Sequence, residues 1–538
     1  MTSTSTIETD VVVIGSGVAG AMAAYKLAKG GANVVILEAG PRIERADIVR
    51  KFTETHHFDF SSGFPNEKWA PRPDWQDPAY KYYEATGPHA GEMEYLRVVG
   101  GTTWHWSGGS SRLLPKDFRL KSTYGVGRDW PISYDDLEPY YGEAEKEIGV
   151  SGSSHDNAIA PGNGRRSTPH PMPAMPPSYS DKVISEGLKK IGLNFITSNS
   201  ARNSEPYDGR PQCMGFGTCS PICPSGAQYA AIVHIEKSEK LGVRVLENAR
   251  ADKIVSAPDG KITAVHAGRS DGTEVVVKAK IFVVAANGME SPRLFLMSAN
   301  ENRPKGIGNS SGTVGRNFYE HPGIVCRLLM PKPVYPRGPE VTMVCTDFRD
   351  GDFRKERSGW GLSFHNFSAI PLLASEAVNE GHVPPALGKL LRHRAIRHID
   401  VNTQMEQLAR EENGITLDWS KKDSAGQPVM KLHYGISDYE QRSFDYATEQ
   451  LKRISKALDA EIVSFSNPLL HHHPMGMLSM GTDKKTTVLD GECRSHDHPN
   501  LFALGGAAFP TAGSGGPTLS IAALSLRAGD SILKQLKG

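Results

Sequence analysis

The sequence predicts an α/β fold, and three observations near its amino terminus carry that prediction. Residues 11–14 form a short apolar β-branched run, residues 18–27 are Ala-rich and helix-forming, and residues 34–37 form a second apolar run. Between the first run and the helix stands Gly15-Ser16-Gly17-Val18-Ala19-Gly20, a G-x-G-x-x-G turn. In a strand–turn–helix setting Gly15 permits the tight turn, Gly17 lets backbone approach a pyrophosphate, and Gly20 allows the helix to pack closely on the strand. The helix amino terminus adds N–H groups and a positive dipole end. Glu38 closes the second run, where an acidic side chain hydrogen-bonds ribose hydroxyls and disfavours a 2'-phosphate. The competing reading is an ordinary glycine-rich turn. The fingerprint alone does not separate NAD from FAD, but its place at the start of a chain far longer than one nucleotide domain favours FAD.

The remaining elements follow in order. Residues 41–91 are polar, aromatic and Pro-containing, and residues 100–109 form a Gly/Thr/Trp loop. Residues 151–177, with Pro169, Pro171, Pro173, Pro176 and Pro177 closely spaced, read as an excursion out of one domain. Apolar runs return at residues 243–246 and 281–285. Residues 510–537 are a Gly-rich turn followed by an Ala/Leu helix whose buried face is expected at Ile521, Leu524 and Leu526. No repeat period is present, which excludes solenoids and propellers.

Composition narrows function. The 538 residues carry 61 Lys and Arg against 60 Asp and Glu, a net charge of +1, so electrostatic capture of nucleic acid or anionic lipid is excluded. Hydrophobic content of 38% with 22% charged residues excludes disorder, and no apolar run reaches the roughly 18 residues that span a bilayer. Residues 1–10 are Thr-rich and lack a basic stretch followed by an apolar one, so no secretory signal is expected there, which by itself implies the cytoplasm.

Two clusters carry chemistry. Six cysteines are too few for a disulfide framework, yet Cys213, Cys219 and Cys223-Pro224 share one loop rich in Gly and Pro. Thiolates are soft ligands for iron–sulfur clusters or zinc. Cys326, Cys345 and Cys493 are remote in sequence, so three ligands suit a three-iron cluster. A structural zinc with a different fourth ligand and merely buried thiols are the other readings. The second cluster is Asn467-Pro468-Leu469-Leu470-His471-His472-His473-Pro474-Met475-Gly476. Histidine is the usual group to remove a hydroxyl proton as a carbon-bound hydrogen leaves as hydride, although a metal-binding tract or a surface accident would look the same.

These motifs together resemble the glucose-methanol-choline (GMC) flavoprotein oxidoreductases, and within them the large subunits of bacterial membrane-associated FAD-dependent sugar dehydrogenases of the fructose, glucose and gluconate type. The likeness runs over nearly the whole chain. It rests on the nucleotide motif, Gly100-Gly101-Thr102-Thr103-Trp104-His105-Trp106, Tyr124-Gly125-Val126-Gly127-Arg128-Asp129-Trp130, Ala201-Arg202-Asn203-Ser204, and Pro206-Tyr207-Asp208-Gly209-Arg210-Pro211. It continues through the cysteine loop, Ala285-Ala286-Asn287-Gly288, Val314-Gly315-Arg316-Asn317, Asn500 with residues 501–508, and the terminal histidine and glycine segments.

The resemblance implies a Rossmann-like FAD-binding domain made of residues 1–110, 206–320 and 461–538, with an α+β substrate domain containing an antiparallel sheet, residues 111–205 and 321–460, inserted in it. It implies FAD held at Gly15, Gly17, Gly20, Glu38, Gly100, Gly101, Thr102, Ala286, Gly506, Ala507, Pro517 and Thr518. A histidine matching His105 is covalently attached to the flavin in some members, and the resemblance implies the same link here; a packed loop histidine is the alternative. It implies a 3Fe-4S cluster on Cys213, Cys219 and Cys223, and His473 as the catalytic base facing flavin N5, with His471 and His472 shaping the site. One departure stands out: members usually carry Asn or His before the Pro-Thr-Leu stretch, where this chain has Gly516. The implied activity is oxidation of a sugar, sugar acid, glycoside or polyol hydroxyl by hydride transfer to flavin, with electrons passed through the cluster to a cytochrome or quinone. The alternatives are an alcohol oxidase using oxygen with a structural cysteine loop, and a non-catalytic flavin-binding scaffold. The implied partners are a small signal-bearing chaperone-like subunit and a cytochrome c subunit, which would place the protein at the periplasmic face of the inner membrane, touching the membrane only through them. Arg392, His393, Arg394 and His398 are candidate pocket residues or a solvated helix face.

Overall fold

A computed structural model describes residues 4–55, 61–74, 77–159, 164–367, 369–382, 385–467 and 470–538. Pro468 and Leu469 of the histidine motif, residues 160–163 of the expected excursion, and the side chain of His471 lie outside the described residues.

The first strand, Thr4–Ile14, is longer than its apolar run because its polar first half pairs at the sheet margin while Val11–Ile14 enters the core. Residues apolar on both faces can sit only between covered strands, and Val11–Ile14 pairs in parallel with Val34–Leu37 on one side and Ile281–Val284 on the other. The resulting sheet has seven strands. Its order is Arg244–Leu246, Val34–Leu37, Thr4–Ile14, Glu274–Val284, Ile262–Arg269, Ala249–Ser256, with Leu501–Ala503 also pairing in parallel with Glu274–Val284. The helix Thr518–Lys537 packs against both Val18–Lys29 and Tyr134–Ile148 beside it. Leu524 and Leu526 are buried as expected, whereas Ile521 is partly exposed and faces the central cavity.

A second sheet of six strands is antiparallel throughout, in the order Glu461–Ser466, Val325–Leu329, His398–Met405, Trp360–His365, Met343–Cys345, Ile196–Thr197. The helices Tyr179–Lys190 and Asp438–Ala457 supply Ile184, Leu188, Phe444 and Leu451 to its core. Each starts with a reciprocal Ser–acid cap, Ser178 with Asp181 and Ser437 with Glu440. Two elements depart from the expected segment limits. Glu461–Ser466 belongs to this antiparallel sheet, and Tyr134–Ile148 buries Leu137, Tyr141 and Ile148 in the nucleotide-side core. Both follow from which apolar face was available to cover, which sequence spacing does not reveal.

A buried ion triad joins three stretches that are distant in sequence. Arg354, fully buried, donates to Asp117 Oδ1 at 2.7 Å and to Glu406, whose other oxygen accepts from the Tyr439 hydroxyl at 2.9 Å. No helix of the described residues is long and apolar enough to cross a membrane. The helix Ala386–Arg394 has no buried residue, so Arg392, His393 and Arg394 form a solvated face, while His398 is buried against Asp400 at 3.0 Å.

Candidate active site

A cavity of ≈ 640 Å³ opens between the two sheets. Its nucleotide end is made by the first turn, and each glycine there has a distinct reason. Gly15 has φ +102°, and a Cβ on it would stand 2.5 Å from the Ala285 carbonyl. A Cβ on Gly20 would stand 1.9 Å from the Gly15 carbonyl, so only glycine lets the helix sit this close. A Cβ on Gly17 meets no protein atom within 4 Å and would project into the cavity, the space a pyrophosphate needs at a helix amino terminus.

Glu38 ends the second strand and lines the cavity. It accepts from the Ser16 hydroxyl at 2.5 Å, the Ser16 N–H at 3.1 Å and the Gly40 N–H at 3.0 Å. A carboxylate has about four acceptor positions, so one is left for a ribose hydroxyl. Burial raises its pKa against these hydrogen bonds. Gly101 presses on Gly17, its Cβ position only 3.0 Å from the Gly17 Cα, which explains the paired glycines. Gly101, Thr102, Ala286, Gly506, Pro517 and Thr518 line the cavity, but Gly100 and Ala507 stand behind the wall. Gly100 donates its N–H to Ser16 Oγ at 3.1 Å, and Ala507 is buried with its carbonyl accepting from Leu478. Donor geometry, open glycine face and acidic ribose partner fit FAD.

His105 follows the short turn Gly101–Trp104 and is buried at the cavity wall, its Nδ1 3.7 Å from Glu94 Oε1. The flanking indoles are turned into protein, Trp104 donating to the Val99 carbonyl and Trp106 to the Tyr229 carbonyl, both at 2.8 Å. Glu94 also lies 3.5 Å from His472 Nδ1.

His473 lines the cavity with 30% of its side chain exposed. Its backbone N–H donates to both oxygens of Glu320, at 2.7 and 2.8 Å. Glu320 is buried, and burial pushes its carboxyl up to about 8 despite the N–H donors of His321 and His473. His473 Nδ1 lies 3.1 Å from His321 Nδ1, and His321 Nε2 lies 3.0 Å from the Gly513 carbonyl. Burial lowers His321 to about 4, and burial with His321 and His472 nearby holds His473 well below the ordinary imidazole range. Glu320 and His321 were absent from the sequence reading, which stopped its nucleotide segments at residue 320. Only their meeting with His473 across the fold makes them conspicuous.

The opposite wall comes from the antiparallel sheet. Gly361 pairs with Gln404 and Ser363 with Asn402, and with His365 these residues line the cavity. Strand alternation sends Trp360 and Phe364 into the core instead. Gly516 lines the cavity as backbone alone.

The cavity also reaches Ser220 in the cysteine loop, and Arg202 and Glu340 beside it. Arg202, 1% exposed, is the shared cation of the loop, within electrostatic reach of Cys213, Cys219 and Cys223. Gln228 joins this loop to the flavin-side loop, donating to the Trp106 carbonyl at 2.6 Å and the Cys219 carbonyl at 3.3 Å, while its own N–H points to Cys223 Sγ at 3.5 Å. All three cysteines are free thiols. Among the described residues no three His, Cys, Asp or Glu side chains are grouped to hold a metal ion. A cluster asks for a different spacing, since each thiolate binds a different iron. The three thiols are thus soft candidate donors on one loop, in the field of the buried Arg202.

Fold and cavity define a flavin-dependent oxidoreductase, and comparison with known proteins agrees. Residues 95–323 and 409–525 match the GMC oxidoreductase family, and residues 10–50 match FAD dependent oxidoreductases. The chain is 39% identical to the fructose dehydrogenase large subunit of Gluconobacter japonicus over 99% of both chains. It is 29% identical to 2-methyl-1,2-propanediol dehydrogenase of Mycolicibacterium austroafricanum, covering 99% of this chain and 96% of that one. It is 25% identical to the gluconate 2-dehydrogenase flavoprotein of Pantoea cypripedii, covering 98% and 94%. Among solved structures, formate oxidase of Aspergillus oryzae shares the fold with a TM-score of 0.66 at 15% identity, over 99% of this chain and 100% of that one. The chain belongs to the GMC oxidoreductase family and is an FAD-dependent oxidoreductase.

Proposed function

We propose that the protein is a dehydrogenase that oxidises a hydroxyl of a sugar, sugar acid, glycoside or polyol. The observation that carries this reading is that one cavity joins a nucleotide cradle, a half-buried histidine and a wall of amides and hydroxyls. FAD supplies a two-electron hydride acceptor, and a 3Fe-4S cluster on Cys213, Cys219 and Cys223 would supply a one-electron path to a cytochrome or quinone.

His473 takes the substrate hydroxyl proton. A base must be neutral before it can act, and the burial that lowers its pKa keeps it so at neutral pH. Glu320 holds the His473 backbone in place through two N–H contacts. Ser363, Asn402 and Gln404 face the substrate and orient its remaining hydroxyls, which suits a polyhydroxylated molecule better than a bare alcohol. Gly516 removes the side chain that family members place beside the base, leaving orientation to this wall. The position of His105 on the cavity wall supports a covalent flavin link there.

The Gluconobacter relative bears the name of a large subunit. In keeping with it, this chain would work with a cytochrome c subunit and a small signal-bearing subunit at the periplasmic face of the inner membrane.

The test is an anaerobic absorption and EPR titration of purified protein with sugars and polyols, together with iron and sulfide analysis. Flavin bleached by one such compound, with about three irons per chain as a 3Fe-4S cluster requires, supports the proposal. Bleaching without iron removes the cluster and favours an oxidase, checked by peroxide release. Flavin that no sugar or polyol bleaches overturns the substrate class.

A further inference from the structure

The pairing of His321 with His473 determines where the catalytic proton can go. A carbonyl oxygen only accepts, so the 3.0 Å contact to Gly513 requires the proton on His321 Nε2. A neutral imidazole carries one proton, so His321 Nδ1 is then an acceptor. Among the described residues its hydrogen-bond partner is His473 Nδ1 at 3.1 Å, which is then the donor. His473 is thus the Nδ1–H tautomer, and its lone pair is on Nε2. Burial of His321, with the cationic Arg349 nearby, supports the neutral form on which this chain of donors depends. The rings meet edge to face, with centroids 5.2 Å apart and planes at 81°.

We propose that His321 is a positioning residue that anchors His473 to the Gly513 carbonyl, fixing the tautomer in which Nε2 is the proton-accepting atom. This rests on the reading of His473 as the base. It also answers what the Gly516 departure leaves open. His321 does not replace the missing side chain as a substrate ligand, because both of its ring nitrogens are already engaged. It acts one step back from the substrate, as the orienting member behind a histidine base does in other enzymes. The carbonyl that anchors it belongs to the Gly-rich turn ahead of the last helix, so the turn lining the cavity at Ser514 to Thr518 also sets the protonation pattern of the base.

Two measurements test it. Neutron diffraction from deuterium-exchanged holoenzyme crystals locates ring deuterons without any substrate. Deuterons on His321 Nε2 and His473 Nδ1, with none on His473 Nε2, are expected; a deuteron on His473 Nε2 overturns the proposal whether or not turnover is known. The second is anaerobic stopped-flow reduction of the flavin, using the compound that bleaches the wild type. His321→Leu is expected to slow reduction about 100-fold, in the range attributed to general-base catalysis, while KM changes less than about threefold. His321→Gln, whose amide can accept from His473 and donate to Gly513, should recover most of that loss. A rise in KM with reduction unchanged would mean that His321 holds substrate, and would overturn the positioning role. If His321→Leu does not retain flavin, the diffraction result decides. A His473→Asn enzyme that still reduces at the wild-type rate would sink the base assignment itself, an outcome separate from a misplaced deuteron.

Discussion

Replacing Glu320 by Gln should make the protein more stable, and increasingly so as pH rises. Glu320 is 2% exposed and its carboxyl is pushed up to about 8, from an ordinary 4.5, mainly by burial. Below pH 4.5 the carboxyl is protonated in both folded and unfolded chains, and its contribution to stability is fully present. Between 4.5 and 8 the unfolded chain ionises freely while the folded one retains its proton, so stability falls by about 1.4 kcal/mol per pH unit. Above 8 both forms are ionised and the loss levels off, near 5 kcal/mol in total as an order of magnitude. Gln keeps an oxygen that can accept from the backbone N–H groups of His321 and His473, but has no proton to lose. At roughly 2.1 cal/mol/K per residue of unfolding entropy, each kcal/mol moves the midpoint of a chain this long by about 1 °C. Thermal unfolding of both proteins at pH 5, 7 and 8.5, at one scan rate, should show the Gln advantage growing by several degrees. A difference that stays constant across that range would refute the buried, protonated carboxyl.

His473→Asn should keep its flavin spectrum yet slow substrate-driven flavin reduction by about 10²–10⁴-fold, read by anaerobic stopped flow. Gly17→Ala and Gly20→Ala should both emerge with less flavin per chain. Only Gly20→Ala should also lower the unfolding temperature of the flavin-free protein, because its Cβ collides with the Gly15 carbonyl while that of Gly17 enters open space. Arg354→Met strands Asp117 and Glu406 as buried carboxylates and should cost about 3–5 kcal/mol in denaturant unfolding. A further Asp117→Asn, Glu406→Gln change on that background should recover much of it.

The nucleotide turn was legible because its rules are local: a glycine at positive φ, a glycine with no room for Cβ, an acid at a strand end. His473 and the cysteine loop were legible because like residues cluster in sequence. The substrate wall was not, since Gly361, Ser363, Asn402 and Gln404 become one surface only when antiparallel pairing sets their register. Glu320 and His321 were missed for a related reason: a buried carboxyl beside a histidine is unremarkable until a segment about 150 residues later folds onto it. The placement of Ala507 behind the wall, and of Ile521 on it, shows how one residue of register separates lining from core.

The cradle is assembled from residues near 15–17, 38, 101–105, 286 and 505–518, and its last strand, Leu501–Ala503, inserts beside Glu274–Val284. During synthesis, then, the ribosome must release the segment that carries residues 501–518 before the cofactor has a complete seat. Until that moment Glu274–Val284 exposes an unpaired edge, Phe282 to Val284, where the late strand will dock. A complete flavin seat therefore waits on that strand, and chains made without flavin should be cut by proteases in the segment that carries residues 501–518 sooner than flavin-loaded ones.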